Sequence, residues 1–89
     1  MTIKQAVIKK IVDLAKQYGA ARLILFGSAL ERPEDARDID LACDGIEGWK
    51  LYEMAARLEE GLALPLNIVP LSPPTNFTRM IEAKGKSLL

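Results

Sequence analysis

The sequence predicts a small α/β (α+β) protein, in which a mixed sheet is flanked by helices in the order α-β-loop-β-α-β-α. Three observations predict this class: apolar residues recur at helical spacing in two long segments, three short apolar runs are typical of strands, and Gly or Pro separates them. A chain of 89 residues has the size of one small domain, so a single domain over residues 1–89 is expected.

The first helix is predicted over residues 3–18. Thr2 and Gln5 match a capping box, and Gly19 is expected to end the helix in a left-handed conformation. The apolar stripe of this helix comprises Ile3, Val7, Ile11, Leu14 and Tyr18.

Two strands are then predicted, at residues 22–26 and 38–43, with Asp44-Gly45 as the closing turn. The segment 29–37 between them is polar and leaves room for one helical turn before Pro33. Because this connection is a loop and not a full crossover helix, antiparallel pairing is allowed and the sheet is expected to be mixed. Cys43 lies in the apolar second run and is interpreted as a small core residue.

A helix over residues 47–60 is predicted next, stopped by Gly61, with Trp49 and Tyr52 as core or half-buried cover. Stacking of these two aromatic rings on a base is the less favoured alternative. A short strand at 66–69 follows between two prolines. The inward face of this second helix comprises Leu51, Met54, Ala55 and Leu58.

The chain is then predicted to turn at residues 72–75 into a last helix that ends at Gly85, and the tail 86–89 offers an added strand as an alternative to a plain tail. The residues of this helix expected to face inward are Phe77, Met80 and Ile81.

Composition excludes several classes of function. Twelve basic and twelve acidic residues cancel, so direct nucleic-acid binding is not expected. The sequence contains no histidine, which removes Ser-His triads and histidine zinc sites. One cysteine and no apolar run of membrane-spanning length favour a cytoplasmic protein without a membrane association.

Chemistry-bearing residues concentrate in the stretch from Arg22 to Cys43. Gly27-Ser28 ends the first strand, and Asp38 and Asp40 open the second. Side chains alternate along a strand, so the two carboxylates share one face, where they need a cation, a proton or full solvation. Mg²⁺ prefers such oxygen ligands, while a Gly-Ser turn allows close approach of phosphate. The alternative is a plain turn followed by solvated acids that protect an edge strand.

The spacing of Gly27-Ser28, nine intervening residues and Asp38-Ile39-Asp40-Leu41 resembles that of the DNA polymerase beta-like nucleotidyltransferases. More narrowly, the chain resembles the minimal nucleotidyltransferase (MNT) family, the MntA-type antitoxins of HEPN/MNT toxin-antitoxin pairs. The resemblance implies the nucleotidyltransferase fold, with Gly27 and Ser28 holding the triphosphate of ATP or another nucleoside triphosphate. It also implies that Asp38 and Asp40 bind the catalytic Mg²⁺.

The sequence departs from the family pattern at the third carboxylate, where Asn67 stands in its place. An amide cannot accept a proton at neutral pH, so binding is expected to survive while transfer is depressed by the lack of a general base, an effect of about 10²–10⁴-fold. Glu34 or Asp35 could substitute for this acid. Arg37 is a candidate phosphate ligand, but an ion pair with Glu34 or Asp35 is the favoured interpretation.

The resemblance implies a separate partner, a HEPN-type helical toxin, because this chain leaves no residues for an acceptor domain. Apolar surface left after folding would allow a homo-oligomer as well. The alternative function is a catalytically inactive module that neutralises its partner by occlusion. A regulatory nucleotide sensor or small self-associating domain is a third hypothesis.

Overall fold

A computed structural model describes residues 5–89 and shows four helices and four strands in this part of the chain. The predicted order is confirmed. The loop contains the helical turn for which the sequence left room, and the tail forms the added strand that was the alternative to a plain tail. The elements are α1 (Gln5–Gln17), β1 (Arg22–Phe26), α2 (Ser28–Glu31), β2 (Ile39–Asp44), α3 (Gly48–Leu62), β3 (Leu66–Pro70), α4 (Asn76–Lys84) and β4 (Lys86–Ser87).

The strands form a mixed sheet in the order β3-β2-β1-β4, which confirms the predicted fold class. β1 runs antiparallel to β2, as expected for strands joined by a loop, and β4 is antiparallel to β1. β2 and β3 are parallel, because α3 returns the chain to the same end of the sheet. The sheet therefore has four strands, which are the three predicted from the apolar runs and the one offered as an alternative in the tail.

Helices cover the two faces of the sheet unequally. Leu41 and Cys43 of β2 face α1 and α3, and they belong to the larger of the two clusters of buried residues. The side chain between them, Ala42, points to the opposite face and packs with Ile24 and with Ile81 of α4. Because α4 has only nine residues, part of this second face remains uncovered.

Several element boundaries differ from the predicted ones. Gly61 does not stop the third helix, which continues to Leu62 and ends where Ala63 adopts a left-handed conformation at φ 54°. Gly19, in contrast, has the predicted left-handed conformation at φ 86°. The proposed capping residue Thr2 and the apolar Ile3 lie outside the described residues.

Four large side chains that were predicted to face inward or to be partly covered are exposed instead. Trp49 and Tyr52 of α3 are 66% and 61% exposed, because the buried stripe of that helix lies on its opposite side. Phe77 and Met80 of α4 are 47% and 48% exposed, since only one side of this short helix meets the sheet. Ile81 is buried as predicted.

A polar cluster ties α4 to the end of the β1–β2 pair. Arg22 donates hydrogen bonds to Glu82 (3.0 Å) and Asp44 (3.2 Å), and these contacts raise the pKa of the arginine. Cys43 lies in the core as predicted, where burial raises the pKa of its thiol to about 11. No helix among residues 5–89 has the length and apolar character needed to cross a bilayer.

The core predicts a large effect for Met54→Ala. Met54 is fully buried between α3 and the sheet, so truncation removes packing contacts and leaves a cavity. We expect the free energy of unfolding in urea to fall by about 2–5 kcal/mol. Tyr52→Ala on the exposed side of the same helix is the matched control and should change it by less than about 0.5 kcal/mol. Equal losses in both variants would contradict the assigned orientation of α3.

Candidate functional site

The candidate site occupies the uncovered part of the sheet face that α4 shares. Asp40 lies two residues before Ala42 in β2, so both side chains point to the α4 face. In the parallel β2–β3 pair, Asp40 stands in register with Asn67. Asp38 lies immediately before β2, one residue outside the strand that was predicted to contain it. Both carboxylates are partly buried.

Asn67 connects the two carboxylates. Its amide nitrogen Nδ2 donates hydrogen bonds to Asp38 Oδ2 at 3.1 Å and to Asp40 Oδ1 at 2.9 Å. A single nitrogen can reach both groups only if they lie on the same side of the sheet. The two N–H donors also offset the repulsion between neighbouring negative charges. The structure therefore brings together Asp38, Asp40 and Asn67.

The Gly27-Ser28 turn lies directly against Asp40. Gly27 has φ 74°, and a Cβ built on it would clash with Asp40 Oδ2. Its carbonyl accepts hydrogen bonds from the amides of Leu30 (3.1 Å) and Glu31 (3.0 Å), which form the first turn of α2. The amides at the start of such a turn have no intrahelical partner and are suited to bind an anion.

The position of Gly27 predicts the effect of Gly27→Ala. The new methyl group would meet the Asp40 carboxylate, and the backbone at φ 74° and ψ −152° would be strained, because this region is essentially restricted to Gly and costs other residues about 1–3 kcal/mol. We expect this variant to bind Mg²⁺ with AMP-PNP at least 10-fold more weakly in calorimetry. Gly19→Ala is the control, since Gly19 also has a positive φ but no neighbouring atom lies within 4 Å of the added Cβ. Equal binding by both variants would contradict the role of Gly27.

The other residues considered for the site, Arg37, Glu34 and Asp35, do not form the same contacts with the two acids. Arg37 is exposed and forms no ion pair with another residue in the described part of the chain, so the favoured pairing with Glu34 or Asp35 is not seen. Between residues 5 and 89, no third Asp or Glu joins Asp38 and Asp40 in a group that could hold a metal. Glu34 and Asp35 thus do not replace the missing acid in this structure.

The donor set fits a magnesium ion that also has a phosphate ligand. Mg²⁺ is commonly held by one or two carboxylates, while water and substrate phosphate fill its other positions. Asp38 and Asp40 lie close enough together to share one amide donor, and the Gly27 turn lies beside them. Asn67 can add a neutral oxygen if its amide turns over, but it cannot add charge.

Comparison with known proteins identifies the fold. No protein-family model matches the sequence, and no curated protein matches it. Solved structures do: a toxin-antitoxin MntA-HepT complex superposes with a TM-score of 0.75 at 22% identity, covering 97% of this chain and 72% of that one.

Two further structures are similar to the chain to the same degree. One is a toxin-antitoxin with AMP-PNP, at a TM-score of 0.78 and 22% identity over 92% of this chain and 72% of the other. The second is a tri-AMPylated Shewanella oneidensis HEPN toxin in complex with MNT antitoxin. Its TM-score is 0.76 at 22% identity, and the match covers 98% of this chain and 72% of the other. The chain therefore has the minimal-nucleotidyltransferase fold of the MNT antitoxin structures, as its sequence predicted.

Proposed function

We propose that this protein is a minimal nucleotidyltransferase that binds Mg²⁺ with ATP and transfers a nucleotidyl group to a partner protein. The observation that carries the proposal is the pair Asp38 and Asp40, held by Asn67 against the Gly27 turn. The fold likeness supports it, because one similar structure contains AMP-PNP and another a tri-AMPylated HEPN toxin.

The proposed roles follow from the chemistry of each residue. Asp38 and Asp40 would hold Mg²⁺, which when bound neutralises charge on the triphosphate. Gly27 and Ser28 would bind the phosphates through backbone amides and the serine hydroxyl. Arg37, exposed one residue before Asp38, would contact phosphate once a nucleotide is present.

The proposed transfer forms one bond and breaks one. A hydroxyl oxygen of the acceptor attacks the α-phosphorus of ATP, the bond from that phosphorus to the bridging oxygen breaks, and pyrophosphate leaves. Asn67 cannot take the hydroxyl proton, so the proton passes to solvent or to a phosphate oxygen. Positioning and charge neutralisation supply most of the rate in such reactions, so transfer should persist. It should be slow because no side chain at position 67 accepts the proton.

The proposed acceptor is a separate helical protein of the HEPN type, and the pair would act as toxin and antitoxin. The HEPN complexes among the similar structures support this choice. A homo-oligomer, a cytoplasmic location and the lack of direct nucleic-acid binding stay predictions from the sequence.

Two measurements test the proposal. Calorimetry should detect binding of AMP-PNP in the presence of Mg²⁺ and none after EDTA is added. Mass spectrometry of proteins that co-purify with the tagged chain, after incubation with Mg²⁺ and ATP, should show a partner that carries added AMP. A chain that binds no nucleotide contradicts the proposal as a whole.

Asn67 favours one second candidate, a catalytically inactive module that neutralises its partner by occlusion. The amide fills the place of a proton acceptor and satisfies both acids without a metal. This candidate predicts a stable complex with an unmodified partner, formed equally well with ATP and with EDTA. A partner that acquires AMP only when ATP is present excludes it.

A further inference from the structure

A groove of about 200 Å³ lies between α4 and the Gly27 turn, and we call it the α4 groove. The sequence did not predict this groove, because Met80, which lines it, was expected to face the core. Its lining comprises Phe26, Gly27, Glu31, Met80, Ile81 and Lys84.

The α4 groove is continuous with the carboxylate pair. Gly27 lines the groove on one side and touches Asp40 on the other. Phe26, also in the lining, stands opposite Asp40 in the β1–β2 register, and its side chain belongs to the same face of the sheet. A ligand with its phosphates at Gly27 and Ser28 would therefore extend its remaining part into the α4 groove or into solvent.

The chemistry of the groove suits a flat aromatic group with polar edges. The Phe26 ring packs edge-on against Phe77, with centroids 5.9 Å apart and an interplanar angle of 82°. Phe77 and Met80 leave almost half of their surface exposed beside it. Glu31 and Lys84 add an acceptor and a cation, and Lys84 forms no ion pair within residues 5–89.

We propose that the α4 groove binds the base and ribose of the nucleotide, with Met80 in contact with the base. This inference rests on the proposed nucleotide binding and adds the residues that recognise the nucleoside. Aromatic and thioether side chains bind a base through its π-face, and the neighbouring charges can pair with its polar edges and the ribose hydroxyls. Trp49 and Tyr52 lie on α3, which packs on the opposite face of the sheet, and neither of them lines the α4 groove. Tyr52 shares a separate hollow with Asn67.

Methionine-methyl NMR provides a direct test. Met54 is fully buried on the opposite face and Met80 is exposed at the groove, so ¹³C-methyl labelling gives a reporter and an internal control. The Met80 signal, assigned with Met80→Leu, should shift on addition of Mg²⁺ with AMP-PNP, because a nearby base adds a ring current. Tripolyphosphate with Mg²⁺ should leave it in place, and Met54 should respond to neither ligand.

The affinities for AMP-PNP and for tripolyphosphate distinguish a failure of this inference from a failure of the proposed function. Met80→Ala should weaken binding of AMP-PNP about 5- to 100-fold in calorimetry, yet leave tripolyphosphate binding unchanged. Trp49→Ala, at an exposed position on α3, should alter neither. If AMP-PNP binds but Met80 neither shifts nor affects its affinity, the α4 groove is not the nucleoside site. If neither AMP-PNP nor tripolyphosphate binds, the nucleotide proposal itself is wrong.

Discussion

Asp40→Asn should abolish measurable binding of Mg²⁺ with AMP-PNP while leaving the fold intact. The substitution keeps the size of the side chain but removes one of the two negative charges proposed to hold the metal. Changes to groups that merely support a metal ligand cost about 10–100-fold in affinity, so loss of a ligand charge should cost at least about 100-fold. Isothermal calorimetry with the wild type and the variant measures the difference.

The control for this variant is Asp13→Asn, which removes the same charge from the exposed side of α1. Asp13 makes a surface ion pair with Lys9, an interaction worth about 0.3–0.5 kcal/mol, so the control should melt and bind almost like the wild type. Undiminished nucleotide binding by Asp40→Asn would show that the acids serve only to solvate the end of the strand.

The two-acid arrangement was predictable from the sequence because it depends on local geometry. Alternation along a strand predicted that Asp38 and Asp40 share one side, and their common contact with Asn67 agrees with this although Asp38 lies one residue before β2. The contact of both acids with Asn67 depends instead on the parallel register of β2 and β3, which only the path of the chain through α3 determines. Sequence spacing could therefore identify the position of Asn67 but not its two hydrogen bonds.

The exposure of the large apolar residues of α4 was not predictable for a related reason. Apolar periodicity indicates which residues of a helix can face inward, but not how much of the helix the sheet covers. α4 packs across a sheet face whose other part carries the acids, so Phe77 and Met80 remain near the site and not in the core. Gly61 was expected to stop α3, yet the chain turns two residues later at Ala63.

Asn67→Asp is expected to have two opposite effects. Without metal, the variant places a third carboxylate against Asp38 and Asp40 and loses both amide hydrogen bonds. Hydrogen bonds to charged groups contribute about 1.5–3 kcal/mol when buried, and partial exposure reduces this, so we expect a loss of about 1–2 kcal/mol in the free energy of unfolding. Added Mg²⁺ should restore most of this loss because the cation replaces the N–H donors.

The same substitution supplies a group that can accept the proton of an attacking hydroxyl. If transfer in the natural chain is limited by the missing base, the rate of AMP transfer to the partner should rise by about 10²–10⁴-fold. Asn67→Ala removes the hydrogen bonds without adding a base, so it should lose stability and regain part of it with Mg²⁺, because Asp38 and Asp40 remain, but its transfer rate should not rise. Were Asn67→Asp to melt alike with and without Mg²⁺, the acids would not form a metal site. Were the metal response present but the rate unchanged, position 67 would serve in positioning the two acids and not in proton transfer.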